Sequence, residues 1–366
     1  MPDATPLEAE IRRRIAAAGP MPVAEYMALC LTDATYGYYT TRDPFGARGD
    51  FITAPEVSQM FGEMIGLWLV AVWKQTGSPA NLRIVELGPG RGTMMKDALR
   101  AAKLIPAFGE AAVLHLVEIS PALQKQQEQT LESVSVPMFW HASLDDVPAG
   151  LAMIVANEFF DALPVNQIVK TGDGWHERQI EIDPSGKLAF TAAPDPAPGF
   201  DRLLPAAARE APTGTIAEWR DDKAAMQLGR RLARDGGAAL VIDYGHAESA
   251  VGDTLQAVGR HAYADPLDAP GALDLTAHVD FQALASAVEA MGAQGFGPVT
   301  QSQFLRRLGI EQRATSLKIK ATAEQAAGID AALARLIGEG QGGMGALFKA
   351  AAFAHAPAGT PPGFES

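Results

Sequence analysis

Three glycines alternate with other residues between an apolar segment and a run that is typical of a helix. The apolar segment Leu82–Leu87 is followed by Gly88, Gly90 and Gly92, and the helical run begins at Thr93. Glycines let the backbone turn tightly and let a ligand approach it closely. The first turn of a helix adds free N–H groups and a partial positive charge. A strand, a turn and a helix start of this kind suit a nicotinamide dinucleotide and S-adenosylmethionine alike.

The spacing around the turn favours S-adenosylmethionine. A dinucleotide fingerprint has Gly or Ala three residues after its second glycine, where this chain has Thr93. Glu86 precedes the glycines and suits the cationic aminoacyl part of S-adenosylmethionine. Glu118 ends the next predicted strand, beyond the ~20-residue spacing at which a dinucleotide fold places its ribose-binding acid. The pattern resembles motif I of class I methyltransferases.

Further contacts with this donor follow from the ends of the predicted strands. We expect the Glu118 carboxylate to accept both ribose hydroxyls, Ile119 to pack on the adenine ring, and Ser143 to contact the adenine. Taken alone, an acid before Pro121 could equally be a solvated residue at a helix start, but the glycine turn ahead of it favours the ribose contact. The predicted donor-binding residues are Glu86, Gly88, Pro89, Gly90, Gly92, Thr93, Glu118, Ile119 and Ser143.

Two acids flank two aromatic residues where the fourth predicted strand ends, in Asn157–Asp161. In open α/β sheets, chemistry collects beyond the carboxyl ends of the strands. The motif resembles the acidic loop with which protein arginine methyltransferases hold a guanidinium, which carboxylates bind through paired, charge-assisted hydrogen bonds. We expect Glu158 to orient the acceptor, with Asp161 and Asn157 as further catalytic candidates. The alternative makes Phe159 and Phe160 core residues and Asp161 a helix cap.

Other candidate residues come from later strand ends. Asp243 and Tyr244 end the fifth predicted strand, and His278 lies in a loop. Either group could supply an auxiliary proton acceptor, although a single loop histidine is more often structural. No second histidine stands near His278 at ligand spacing, so no metal site is predicted.

Short apolar strands alternate with helices from residue 81 onward, which predicts an α/β fold with a doubly wound, mostly parallel sheet. A helical N-terminal region (1–80) with a lid loop (42–59) precedes this domain (81–355), and a frayed tail (356–366) ends the chain. An insertion (163–237) between the fourth and fifth strands is predicted to bind substrate or partner; alternatively it only covers a sheet edge. Within it we expect a hairpin, Trp175–Ile182 and Lys187–Thr191, and a helix near Trp219–Arg234. The predicted strands are Leu82–Leu87, Val113–Ile119, Pro137–Trp140, Ala152–Ala156 and Ala238–Asp243.

Composition narrows the class of protein. The chain has 366 residues and a net charge of -13, which argues against general binding of nucleic acid. Cys30 is the only cysteine, so the chain has neither an intramolecular disulfide nor a cysteine metal site. The longest apolar run, Ile65–Trp73, is too short to cross a bilayer. We therefore expect a cytoplasmic protein without membrane insertion.

Several motifs together resemble the MidA family of DUF185-type methyltransferases, which includes a mitochondrial complex I assembly factor. The matching stretches, in family order, are Gly49–Gln59, Glu86–Thr93, Asn157–Pro164, Ile242–Gly245 and Asp274–Phe281. The resemblance implies a class I methyltransferase (Rossmann-like) fold with a helical N-terminal addition. It also implies that Glu86 and the three glycines bind the donor, and that the first stretch closes over donor or acceptor. The residues carried over for that stretch are Asp50, Thr53, Pro55, Glu56 and Gln59.

The resemblance implies a protein acceptor as well, namely an arginine of the 49-kDa-type subunit of NADH:ubiquinone oxidoreductase. A eukaryotic member of the family would work in the mitochondrial matrix. Two alternatives stay open at this stage. One is an assembly factor that binds S-adenosylmethionine without catalysis, and the other, a nicotinamide-dependent oxidoreductase, is disfavoured by Thr93 and Glu118. A homodimer is possible.

Overall fold

The computed structural model describes residues 5–41, 53–197, 204, 208, 210–259, 262–355 and 359–365. The chain forms two compact units. The first unit comprises Met1–Phe51, Asp161–Asp221 and Glu248–Asp280. The second unit comprises Ile52–Phe160, Asp222–Ala247 and Phe281–Ser366.

Strands and helices alternate through most of the chain. The strands are β1 (Met21–Pro22), β2 (Leu82–Leu87), β3 (Ala112–Val117), β4 (Met138–His141), β5 (Ala152–Asn157), β6 (Val165–Lys170), β7 (Trp175–Ile182), β8 (Leu188–Ala192), β9 (Ile216–Arg220), β10 (Gly237–His246), β11 (Gln256–Gly259), β12 (Ala262–Ala264), β13 (Asp274–Thr276), β14 (Val279–Asp280), β15 (Gln294–Thr300) and β16 (Phe348–Ala354). The helices are α1 (Pro6–Ala18), α2 (Val23–Thr32), α3 (Tyr38–Thr41), α4 (Ala54–Val57), α5 (Gln59–Gln75), α6 (Thr93–Ala102), α7 (Pro106–Ala111), α8 (Pro121–Leu131), α9 (Lys223–Asp235), α10 (Phe281–Glu289), α11 (Gln301–Arg307), α12 (Ile310–Lys318) and α13 (Ala323–Ile337).

A mostly parallel sheet forms the centre of the second unit. Its strands lie in the order β15-β16-β10-β5-β2-β3-β4. The pairs from β10 to β4 are parallel, whereas β16 runs antiparallel to both of its neighbours. The order of the strands reverses between β2 and β5, and ligands of open α/β sheets bind at such a switch point. This topology confirms the predicted class I methyltransferase fold.

Helix α5 packs closely on α6, the helix that follows the glycine turn. Gly62 and Gly66 lie one turn apart on α5, and a Cβ on Gly62 would come within 2.8 Å of the carbonyl oxygen of Met94. The two helices can approach this closely only because these positions have no side chain. Beside them, the buried Glu63 carboxylate accepts two hydrogen bonds from Arg313, at 2.7 and 2.9 Å. The glycine positions thus set α6 against α5, and the Glu63–Arg313 pair joins α5 to α12.

The first unit has its own sheet and core. Its larger sheet has the order β1-β7-β6-β9, with β8 paired to β7, and a smaller sheet has the order β12-β11-β13. Apolar residues of α1 and α2, such as Leu7 and Met27, share a buried cluster with Val165, Ile180 and Leu275. The N-terminal helices therefore belong with the insertion and with residues 248–280. This division cuts across the boundaries expected at residue 80 and around 163–237.

The elements of the insertion differ in part from the sequence-based expectation. The predicted hairpin is present as β7 and β8, paired from Arg178 to Ile182. The helix expected from Trp219 is wrong at its start, because Ile216–Arg220 is strand β9 and pairs antiparallel with β6. The helix begins only at Lys223. Pairing with a strand some fifty residues away decides this stretch, and local sequence does not show such a partner.

Candidate active site

The glycine turn takes a backbone conformation that side chains disfavour. Gly88, Gly90 and Gly92 have φ angles of +61°, +52° and +80°. A Cβ on Gly88 would lie 2.9 Å from Cδ2 of Phe159, so the turn is in contact with the acidic motif that follows β5. The turn closes through a 2.8 Å hydrogen bond from the Gly92 N–H to the carbonyl of Pro89. Glycine is thus required both for the turn and for this contact.

Glu86 is the last residue but one of β2, close to the turn, and its side chain is almost fully buried. Its Oε2 atom has no hydrogen-bond partner among the described residues. Burial raises the pKa of Glu86 to about 8. A buried carboxyl group without a partner is costly, and a cationic group placed against it would return the ionised form.

Glu118 follows β3, and hydrogen bonds hold both of its carboxylate oxygens. Its Oε1 accepts the Ser120 N–H at 2.8 Å, and its Oε2 accepts Nε2 of Gln127 at 3.2 Å. Burial is the main cause that raises the pKa of this carboxyl group, and the hydrogen bonds from Ser120, Gln127 and the Ile119 backbone oppose it. Next to it, the apolar side chain of Ile119 is 57% exposed. Ser143 caps a short 3₁₀ turn, its hydroxyl accepting the Asp145 N–H.

The acidic motif begins at the end of β5, which is the neighbour of β2. Glu158 has a φ angle of +51°, a left-handed conformation that is rare for a residue with a side chain. Its Oε1 accepts hydrogen bonds from Nδ2 of Asn157 at 3.1 Å and from the Ala54 N–H at 3.3 Å. Strain of this kind is retained where the surrounding structure enforces it, and it is frequent at functional sites.

Asp243 holds the motif from the neighbouring strand β10. Its Oδ2 accepts the N–H groups of Phe159 and Phe160, at 3.2 and 3.0 Å, and its Oδ1 accepts the Tyr244 N–H. The carboxylate is fully buried. These three hydrogen bonds position the two aromatic residues, and a role of Asp243 as a proton acceptor stays a prediction. Tyr244 is buried, with its ring packed edge-on against Phe348.

Part of the expected lid loop is described, as the short helix α4. Thr53 and Pro55 form the start of α4, and Gln59 is exposed at the start of the next helix, α5. Glu56 accepts a 2.6 Å hydrogen bond from the hydroxyl of Thr93, at the first turn of α6. The Thr93 hydroxyl is therefore engaged with the lid segment. Asp50 lies outside the described residues.

Two predicted site residues belong to the first unit, where Arg220 holds their backbone. The guanidinium of Arg220 donates to the carbonyls of Ala277 and His278, both at 2.6 Å, and to those of Asp161 and Leu163, at 3.3 and 3.2 Å. The side chain of Asp161 is buried and that of His278 is half-buried. Among the described residues, no group of three or more His, Cys, Asp or Glu could hold a metal ion.

Sequence reasoning missed three residues that organise these sites, namely Gln127, Arg220 and, in its structural role, Asp243. Each acts through hydrogen bonds to backbone or to a side chain distant in sequence. A glutamine on the otherwise apolar face of α8 is the one local signal that the sequence offers.

The residues around the turn fit S-adenosylmethionine. Near the end of β2, Glu86 offers a buried carboxyl oxygen that no described residue contacts by a hydrogen bond, and the glycine turn offers backbone that a ligand can approach closely. Glu118 and the exposed Ile119 stand at the end of the adjacent strand, where a ribose and an adenine would follow. The fold and the site together define a class I S-adenosylmethionine-dependent methyltransferase.

Comparison with known proteins agrees with this class. Residues 64–299 match the family model of S-adenosyl-L-methionine-dependent methyltransferases, and the chain belongs to this family. The mitochondrial protein arginine methyltransferase NDUFAF7 of Homo sapiens is 38% identical over 338 residues, which cover 84% of this chain and 74% of that protein. Its homolog in Drosophila melanogaster is 38% identical over 346 residues, which cover 87% and 78%.

A solved structure is similar along nearly the whole chain. A crystal structure from Burkholderia thailandensis, bound to S-adenosyl-homocysteine, has a TM-score of 0.83 and 29% sequence identity. The match covers 98% of this chain and 92% of that one. In the described part of this chain, no helix has the length and apolar character needed to span a membrane.

Proposed function

We propose that the chain methylates a protein, on an arginine side chain of the 49-kDa-type subunit of NADH:ubiquinone oxidoreductase, and thereby serves complex I assembly. The curated relatives are named protein arginine methyltransferases, which supports a protein acceptor and an arginine. The particular subunit rests on the family resemblance of the sequence motifs. The acidic motif at the end of β5 supports a cationic acceptor, because a carboxylate and a guanidinium form strong paired hydrogen bonds.

One observation carries the proposal: the glycine turn and the acidic motif are in contact. Phe159 packs against Gly88, and β2 and β5 are adjacent parallel strands, with Leu87 opposite Ala156. Glu158 comes two residues after Ala156 and therefore lies at the same carboxyl end of the sheet as the start of the glycine turn. A group held by Glu158 would lie beside a donor held by the turn.

When bound, S-adenosylmethionine supplies an electrophilic methyl group on a sulfonium. The chain's own residues bind and orient the two reactants. Glu86 holds the aminoacyl end and Glu118 holds the ribose, while Ile119 covers the adenine. Glu158 would accept N–H groups of the guanidinium, align one nitrogen with the methyl group, and stabilise the positive charge while the N–C bond forms and the S–C bond breaks. S-adenosyl-homocysteine would leave, and the methylated nitrogen would lose one proton to solvent. Asn157 and the Ala54 N–H keep the Glu158 carboxylate in place.

Isotope-labelled S-adenosylmethionine, the purified chain and the recombinant 49-kDa-type subunit test the proposal. Mass spectrometry should find the label on an arginine of the subunit. Glu158→Gln should reduce transfer by 100-fold or more, as expected when a charged group at the reacting centre is removed, while binding of S-adenosyl-homocysteine stays within twofold. Glu128→Gln, an exposed position on α8, is the matched control.

Other outcomes would redirect the proposal. If Glu158→Gln leaves the rate of methyl transfer unchanged, the proposed role of Glu158 is refuted. The chain could bind the donor and yet label neither this subunit nor any protein in a cell extract depleted of the enzyme. That result would favour an assembly factor without catalysis. The relatives are named mitochondrial, and we propose the mitochondrial matrix as the location in a eukaryote and the cytoplasm in a bacterium. Light scattering of the purified chain tests for a homodimer.

A further inference from the structure

Helix α8 carries a buried glutamine beside the donor turn. The side chain of Gln127 is fully buried. Its Nε2 donates to the carbonyl oxygen of Gly90 at 2.8 Å and to Oε2 of Glu118 at 3.2 Å. Its Oε1 accepts the indole N–H of Trp140, on β4, at 2.8 Å. One amide group thus joins the glycine turn, the acid after β3 and the strand β4.

The partners allow only one orientation of this amide. The indole of Trp140 can only donate, whereas the Gly90 carbonyl and an ionised Glu118 can only accept. A flipped amide would set Oε1 against two acceptors and leave the indole N–H without its partner. Buried groups left in that state are costly, so the network holds Gln127 in one rotamer and one flip state.

The Glu118 carboxylate is consequently held at both oxygens. Ser120 donates to one oxygen and Gln127 to the other. The backbone of Ile119 donates a further hydrogen bond to this carboxylate. A carboxylate has about four lone-pair positions, so it can still accept a hydrogen bond from a ribose hydroxyl.

We propose that Gln127 is a positioning residue of the donor site, which fixes the Glu118 carboxylate relative to the Gly90 peptide so that the ribose and the aminoacyl end of the donor bind together. The inference rests on the proposed role of Glu118 in binding the ribose. Gln127 itself does not contact the donor in this scheme. It acts through Glu118 and through the turn.

Calorimetric titration with S-adenosyl-homocysteine tests the role of Gln127. Gln127→Met keeps the length of the side chain and removes both amide functions. We expect the dissociation constant to rise tenfold or more, because one of the lost hydrogen bonds goes to a charged group. Gln129→Met, the same substitution at an exposed position of α8, should bind like the wild type. Wild-type affinity of Gln127→Met would overturn the proposal.

A double-mutant cycle separates positioning from a structural role. If Gln127 acts through Glu118, Gln127→Met should cost much less affinity in a Glu118→Gln background than in the wild type. If the double variant loses affinity by the product of the two single-variant factors, the two residues act independently. That result would overturn the proposal. Thermal unfolding of each variant shows whether any loss of affinity follows a loss of folded protein.

Trp140→Phe covers the case in which Gln127→Met does not fold. This variant keeps an aromatic ring on β4, although a smaller one, and removes the N–H that fixes the amide. Its affinity for S-adenosyl-homocysteine should fall by about two- to tenfold, and unchanged affinity would overturn the proposal. The wild type serves as the reference for the donor site itself. If the wild type fails to bind S-adenosyl-homocysteine, the donor site and the role of Gln127 both fall; if it binds, only the role of Gln127 is at stake.

Discussion

The buried carboxyl group of Glu86 should make the stability of the chain depend on pH. Burial raises its pKa from 4.5 to about 8 in the folded chain without donor. The unfolded chain exposes the side chain, so its carboxyl group titrates at its ordinary pKa. Between these two pKa values the folded chain keeps a proton that the unfolded chain has released. The free energy of unfolding therefore falls as the pH rises.

The magnitude follows from the separation of the two pKa values. Each pH unit in this window lowers the free energy of unfolding by about 1.4 kcal/mol. The accumulated loss is about 3 kcal/mol at pH 7 and about 5 kcal/mol above pH 8. Glu86→Gln keeps the shape of the protonated group and has no proton to release. The variant should therefore gain stability over the wild type as the pH rises, and the two should differ least near pH 4.5.

Urea unfolding at half-unit steps from pH 5 to pH 8.5 measures this difference. All other titrating groups are shared, so their contributions cancel when the wild type is compared with Glu86→Gln. Glu128→Gln, at an exposed position, should follow the wild type at every pH. A difference between the wild type and Glu86→Gln that stays constant within about 0.5 kcal/mol across the range would refute the reasoning.

The proton on the Glu86 carboxyl group should also be detectable in binding experiments at the donor site. A cationic aminoacyl group against Glu86 favours the carboxylate, so the wild type should release up to one proton on binding S-adenosyl-homocysteine at pH 7. Calorimetry in two buffers with different enthalpies of ionisation measures this release. Glu86→Gln has no such proton, so its binding should release fewer protons than that of the wild type, by the number that Glu86 contributes. Equal proton release from both proteins would contradict the assignment of Glu86.

Three further substitutions test separate parts of the second unit. Gly88→Ala places a Cβ against the ring of Phe159 at a φ of +61°, so binding of S-adenosyl-homocysteine should weaken at least tenfold in calorimetry; wild-type affinity would refute the contact. Glu158→Gly relieves the left-handed backbone, so urea unfolding should show unchanged stability or a gain of up to about 1 kcal/mol while methyl transfer is lost; a clear destabilisation would show that side-chain contacts outweigh strain. Arg313→Met leaves the buried carboxylate of Glu63 with fewer partners and should cost about 2 kcal/mol in urea unfolding, without the change of donor affinity that a site residue would give.

The class of fold and the donor motif could be predicted from local sequence. The turn at Gly88, Gly90 and Gly92 depends on local backbone angles rather than on distant residues, because only glycine adopts these angles without strain. The apolar runs of the buried parallel strands likewise identify β2 and β5 within one residue. Parallel strands buried on both faces need apolar residues at nearly every position, and such runs are visible without a partner.

The edges of the fold could not be predicted in this way. Strand β15 is half-exposed and begins with Gln294, so it has no apolar run, and its pairing with β16 depends on residues about fifty positions away. The same holds for β9, where the sequence favoured a helix at Trp219. The N-terminal helices also gave no sign that they share a core with residues 165–180 and 255–277.

The sequence by itself determined which chemical groups the chain brings to its donor site: Glu86, the glycine turn, Glu118, and the acid–aromatic motif with Glu158. Only the tertiary structure decided what each group does there. It buried Glu86 with one carboxyl oxygen that has no hydrogen-bond partner among the described residues, placed Asp243 against three backbone N–H groups, and joined Glu118 to Gly90 through Gln127. The physical reason is that a motif fixes residue types and local backbone angles, whereas burial, hydrogen-bond partners and the pKa of a group depend on segments that meet only in the folded chain.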